Sequence, residues 1–142
     1  MPQHSIQARF IVEQYFAALA EGRVTDAVGF LDPQVRWHQP GNNQFSGSYE
    51  GIDAVVSLIS TMMEFSQGTL TVQPTGSPMV NAHVVAVPVR FTGTRATEAG
   101  ETIHMDQSGI DLLTVADGRI VEVRLFSQDN AAEDVFLGEK RN

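Results

Sequence analysis

The sequence predicts an α+β domain with helices packed on one side of a curved, mostly antiparallel sheet. Three observations carry this. Helical periodicity fills the first third of the chain, β-branched strand segments fill most of the rest, and an Asp-Gly turn joins the last two strands. Helices followed by a strand meander place the helices on one sheet face rather than between parallel strands.

The elements follow in order. Residues 5–20 read as a helix, with Ile11, Tyr15 and Leu19 at i, i+4, i+8 and Val12 and Phe16 beside them. Gly22 stops it. Thr25 is expected to cap a second short helix carrying Ala27, Val28, Phe30 and Leu31, which Asp32-Pro33 ends. Val35–Gln39 reads as a strand stopped by Pro40-Gly41, and Asn42 to Glu50 as a polar loop. Residues 52–66 form a third helix with Ile52, Val55, Val56, Ile59, Met62 and Met63 apolar and Asp53 in its first turn. Thr69–Val72, His83–Thr94, Thr102–Val115 and Arg119–Ser127 read as strands, with Asp117-Gly118 as the hairpin turn. A short helix over residues 131–137 closes the chain.

The chain has 142 residues, and residues 1–142 are read as a single domain without an internal linker or repeat. Cysteine is absent, which excludes disulfides, thiolate metal sites and a cysteine nucleophile. The net charge is -8, with only nine Lys and Arg. Binding to a nucleic-acid backbone or an anionic membrane needs a cationic footprint that this composition lacks. No apolar run approaches the roughly 20 residues that span a bilayer, and the N-terminus lacks the basic start and uniform apolar stretch of a signal peptide. A cytoplasmic location is the expectation.

Val84 to Val89 and Ile110 to Val115 are apolar on both faces. In an antiparallel sheet this leaves neither face freely solvated. One face holds the helices; a second copy of the chain is the simplest cover for the other, so a homodimer through the sheet is expected.

Asp111 stands between Ile110 and Leu112 and alternates onto one face with Leu113 and Val115. Desolvation there raises a carboxyl pKa. Tyr15 lies on the apolar face of the first helix, where core packing and a pocket wall are equally compatible with the pattern. His38 and Gln39 are adjacent on a strand and face opposite ways, so only one of them enters a shared pocket. Pocket walls are expected from Trp37, Met62, Phe65, Leu113 and Leu125. Asp129 and Asp134 read as helix-cap and surface charges. His104-Met105-Asp106 gives two metal-type ligands without a third, so no metal is expected. There is no Gly-rich phosphate loop, nucleophile elbow or Ser–His–Asp spacing.

The spacing of Tyr15, Gly22 and Gln39-Pro40, together with Asp111 seven residues before Gly118, resembles the ketosteroid isomerases. Trp37-His38-Gln39-Pro40-Gly41, Gly47-Ser48-Tyr49-Glu50-Gly51 and Asp117-Gly118-Arg119-Ile120 resemble the SnoaL-like group. Both lie within the superfamily similar to nuclear transport factor two. The resemblance covers nearly the whole chain and implies a cystatin-like cone, a curved antiparallel or mixed sheet wrapped around the N-terminal helices. It implies a cofactor-independent isomerase or cyclase acting on a ketone or polyketide-like molecule, with Asp111 as acid or oxyanion donor and Tyr15 supporting it. It places Gln39 where the isomerases have their Asp base. An amide cannot accept a proton in that way, which leaves His38 or Gln39 as the group opposite Asp111. The epoxide hydrolases of this fold use an Arg-x-Asp element, for which His104-Met105-Asp106 lacks the Arg. Three functions stay open on the sequence: an acid–base enzyme, a small-ligand-binding homodimer, and an interaction domain with a filled pocket.

Overall fold

The computed structural model describes residues 2–138, with side chains from Ser5 onward. Helices α1 (Pro2–Ala20) and α2 (Val24–Gly29) lead into strand β1 (Leu31–Gln39) and the short β2 (Gly47–Glu50). After α3 (Ile52–Phe65) come β3 (Thr71–Pro74), β4 (Met79–Asn81), β5 (Val84–Ala96), β6 (Thr102–Ala116), β7 (Arg119–Ser127) and α4 (Asn130–Leu137).

The strands form one sheet in the order β2-β1-β7-β6-β5-β3, with β4 also pairing with β5. It is curved and open, since β2 and β3 end the hydrogen-bonded path. All neighbours are antiparallel except β1 and β7, which run parallel. The long hairpin β5–β6 pairs from Val84↔Thr114 to Ala96↔Thr102 and forms the back of the fold. On β6, Met105, Gln107, Leu113 and Val115 are buried on the inner face while His104, Asp106, Ser108 and Ile110 are exposed on the outer one. Against the inner face lies α1, burying Ala8, Ile11, Val12, Tyr15, Phe16 and Ala18. Each fully buried Val or Leu side chain of this core stabilises the fold by about 1.5–3 kcal/mol.

Two glycines let elements approach closely. A Cβ on Gly109 of β6 would lie 2.3 Å from the Phe126 carbonyl oxygen. A Cβ on Gly93 of β5 would lie 2.7 Å from the Phe136 ring, so Gly93 is what allows α4 to dock.

Several boundaries differ from the sequence reading. Thr25 lies inside α2, which begins after Arg23 without a side-chain cap. Leu31 belongs to β1, not to the helix. Pro33 is accommodated there because it falls between Leu31 and Arg36, where the register with β7 shifts and no ladder donor is required. The polar loop ends in β2, an edge strand too short and too polar to show strand alternation. β3 lies at Thr71–Pro74 rather than Thr69–Val72, and β4 lies in a stretch the sequence left unassigned. Among the described residues no helix is long and apolar enough to cross a membrane.

Candidate functional site

The inner face of the sheet does not fill with side chains everywhere. A cavity of about 110 Å³ remains, bounded by α1, α3, α4 and the inner residues of β1, β5, β6 and β7. Most of its wall is apolar, including Leu19, Met62, Leu70, Val72, Phe91 and Leu125. Five polar side chains interrupt that wall: Tyr15, Gln39, Asp111, Ser127 and Glu133.

Asp111 reaches the cavity from β6, between Val87 of β5 and Leu125 of β7 in the sheet register. It keeps partial exposure as a residue, but its carboxyl is desolvated. Burial first, then the nearby charge of Glu133, pushes the carboxyl up to about 7. Among the described residues nothing donates a hydrogen bond to it.

Glu133 reaches the cavity from α4. Asp129 caps this helix by accepting from the Ala132 N–H at 3.0 Å. That start puts Glu133, Phe136 and Leu137 on one buried face, at i, i+3 and i+4. Glu133 is only 5% exposed. Burial raises its carboxyl to about 7; the Ser127 hydroxyl, donating to Glu133 Oε1 at 2.8 Å, opposes that rise, and the charge of Asp134 adds to it. α4 is tied down at both ends. Gln107 brackets the backbone of Asp129, Asp134 accepts from Asn42 N–H and Asn43 Nδ2, and Arg95 donates to the carbonyls of Val135 and Phe136.

Tyr15 is 4% exposed, and its hydroxyl has no hydrogen-bond partner among the described residues. Burial and then the charge of Asp111 raise its pKa, so it stays a neutral donor. Gln39 is held by its neighbour on the same face: Trp37 Nε1 donates to Gln39 Oε1 at 3.1 Å. An indole N–H only donates, which fixes the amide with its carbonyl toward Trp37 and leaves its NH2 as the free donor.

The structure therefore gathers Tyr15, Trp37, Gln39, Met62, Asp111 and Leu125 on one cavity, and it separates the other three site residues from it. His38 faces the outer side of β1, where Nδ1 bonds Ser48 Oγ at 2.8 Å and Nε2 bonds Glu122 at 2.9 Å. Strand alternation allowed one of His38 and Gln39 inside, and the wider apolar face of Val35 and Trp37 took Gln39 with it. Phe65 packs edge-on against Phe45 beneath the Arg95 guanidinium. Leu113 is sealed in the core two residues beyond Asp111.

Arg90 does reach across to Asp106, but as an exposed pair on the outer face, away from the cavity. Among the described residues no group of three His, Asp or Glu side chains could hold a metal ion. The residue that sequence reasoning missed is Glu133. Its signal was local: an acid followed by Phe136 and Leu137 on the same helical face.

Two carboxyls that titrate near neutrality in one apolar cavity, with neutral hydroxyl and amide donors beside them, can exchange a proton with a bound molecule in both directions. The charge of Glu133 opposes ionisation of Asp111, so Asp111 holds its proton more firmly once Glu133 has ionised.

Known proteins share this architecture. An uncharacterised protein of Mycobacterium tuberculosis is 32% identical over 127 residues, which is 89% of this chain and 92% of that one. A protein of unknown function with a cystatin-like fold from Xanthomonas campestris superposes with a TM-score of 0.85 at 38% identity, over 93% of this chain and 98% of that one. A ketosteroid isomerase candidate from Kribbella flavida has the same fold at 20% identity, with a TM-score of 0.63 over 88% of this chain and 80% of that one. Residues 12–123, from the middle of α1 to β7, match the SnoaL-like domain, and the chain belongs to that family.

Proposed function

We propose that this chain is a cofactor-independent acid–base enzyme that moves a proton next to the carbonyl of a small lipophilic ketone, as an isomerase or cyclase does. The observation that carries it is that Asp111 and Glu133 line one largely apolar cavity, both with carboxyls raised to about 7.

The hydrogen bonds divide the roles. Ser127 donates to Glu133 and favours its anion, whereas nothing donates to Asp111, whose ionisation the Glu133 charge opposes. The working state has Glu133 ionised and Asp111 protonated. Glu133 takes a proton from the carbon beside the carbonyl, and the C–H electron pair moves into the carbonyl to form an enolate. Asp111 and Tyr15 donate hydrogen bonds to the developing oxyanion, with the Gln39 NH2 as a further donor. Glu133 then returns the proton to another carbon, which completes an isomerisation with no net change in atoms or electrons.

The same reading covers the outer sheet face with a second copy. Met79, Ile110 and Phe126 stand exposed there, an apolar area that a self-complementary two-fold contact would bury.

A test is the double-bond shift of β,γ-unsaturated ketones, followed by ultraviolet absorbance. Wild type should turn over at least one ketone, and Glu133→Gln and Asp111→Asn should both slow it. Tight binding of the ketones with no double-bond shift would instead make the protein a ligand-binding homodimer.

A further inference from the structure

The cavity wall carries acceptors that the protein leaves without donors. Among the described residues nothing donates to Asp111, and Ser127 donates to one oxygen of Glu133, Oε1 at 2.8 Å, which leaves Oε2 without a donor. The Tyr15 hydroxyl, on a side chain only 4% exposed, also has no partner among the described residues and lines the same space. An ionised carboxylate only accepts, and burying one without a paired cation is costly. The described residues lining the cavity include no Lys, Arg or His to supply that cation. Arg95 approaches α4 but donates to the carbonyls of Val135 and Phe136 and lies over the Phe65 ring. Asp134 adds a further negative charge beside Glu133.

A primary ammonium group has the complementary chemistry: positive charge, three N–H donors and no acceptor. Asp111, Glu133 and the Tyr15 hydroxyl offer one acceptor or more to each of those donors, while Leu19, Met62, Leu70 and Phe91 receive a hydrocarbon body. The Gln39 NH2, itself a donor, gives nothing to such a group. We propose that this cavity binds a lipophilic primary amine as its ammonium ion, held by Asp111, Glu133 and Tyr15. The proposal shares the cavity with the reading above but not its chemistry. The amine is not turned over; it competes with the ketone for the same two carboxyls. Its binding is linked to pH. The two carboxyls hold their protons up to about 7, whereas an alkylammonium stays charged to about pH 10. Below neutrality the amine therefore expels a carboxyl proton as it binds, and its affinity rises with pH until both carboxyls have ionised.

The test is binding to the intact protein, read by calorimetry in two buffers of different ionisation enthalpy, so that proton release is counted with affinity. The probes are cyclohexylmethylamine, its N,N-dimethyl derivative with a single N–H when charged, and cyclohexylmethanol as the neutral isostere. Near pH 8 the primary amine should bind at one site at least ~tenfold more tightly than the alcohol, and more tightly than the tertiary amine. From about pH 5.5 to about pH 8 its affinity should rise at least ~tenfold, with protons released at the acidic end, while the alcohol changes by less than about twofold. Glu133→Gln and Asp111→Asn should each weaken the amine at least ~tenfold and flatten its pH dependence, and retained binding of the alcohol shows that the variant is folded. The proposal is overturned if the amine binds wild type no better than the alcohol, if its affinity does not rise with pH, or if both folded variants keep it, which would place it on the acidic surface. Amine binding of this kind without any ketone turnover would sink the catalytic reading alone, and ketone turnover that the amine fails to inhibit would sink this proposal alone.

Discussion

Ser127 at the end of β7 donates its hydroxyl hydrogen to Glu133 Oε1 at 2.8 Å, across the turn into α4. This bond joins the sheet to the closing helix at the point where the cavity acquires its second carboxyl. It lies beyond residues 12–123, the stretch that matches the SnoaL-like domain, whereas Tyr15, Gln39 and Asp111 lie within it.

Glu133→Gln keeps the acceptor for Ser127 but removes the base. Turnover should fall by ~10²–10⁴, the usual contribution of a positioned general base. The variant should also be more stable than wild type at alkaline pH, because it no longer buries a charge. Chemical denaturation beside a steady-state assay checks both.

Asp111→Asn retains a donor but not an acid. A loss of about 10–10³ in turnover is expected from weakened oxyanion stabilisation. Wild type needs one carboxyl ionised and the other protonated, so its pH–rate profile should be bell-shaped around neutrality. The variant should lose the alkaline limb. An unchanged profile would remove Asp111 from the mechanism.

Stability should fall as pH rises. Both cavity carboxyls are raised to about 7 in the fold, from 3.8 for Asp111 and 4.5 for Glu133. Between those values the folded chain holds protons that the unfolded chain has released, so each pH step upward favours unfolding until both have ionised. A loss of at least ~2 kcal/mol from about pH 5 to pH 8 is expected, since a tenfold change in proton affinity corresponds to about 1.4 kcal/mol. Glu122 acts in the opposite sense. The His38 hydrogen bond holds it below its usual range, so its contribution is lost as pH falls through the acidic end. Melting curves across pH should therefore peak on the mildly acidic side, and Glu133→Gln should flatten the descent above the peak.

His38→Ala should leave turnover within about twofold while costing ~0.5–1.5 kcal/mol of stability, because it breaks the bonds to Ser48 and Glu122 on the outer face. A large loss of turnover without loss of stability would place His38 in the chemistry after all.

Gly93→Ala drives a methyl into the Phe136 ring, at 2.7 Å before relaxation. Overpacking of this kind costs ~1–3 kcal/mol. Because Phe136 and Glu133 share a face of α4, turnover should fall along with stability. On the opposite side of the sheet, Phe126→Lys should convert a dimer to a monomer in analytical ultracentrifugation with the fold retained.

Local chemistry in the sequence determined the element types, the β6–β7 hairpin, and the inward course of Asp111, since period-two alternation and β-branched runs are local properties. It also determined that His38 and Gln39 must part. Which of the two entered the cavity depended on how the whole of β1 packed, and only the fold settled that for Gln39. The same holds for β2, which exists because β1 offers it a partner, and for Pro33, tolerated at a register shift invisible in one strand read alone. Glu133 is the clearest case. Its helix is short, its acid is ordinary in sequence, and its altered proton affinity arises from a burial that β7, Gln107 and Arg95 create together. Desolvation depends on everything that surrounds a group, and that is a property of the assembled fold.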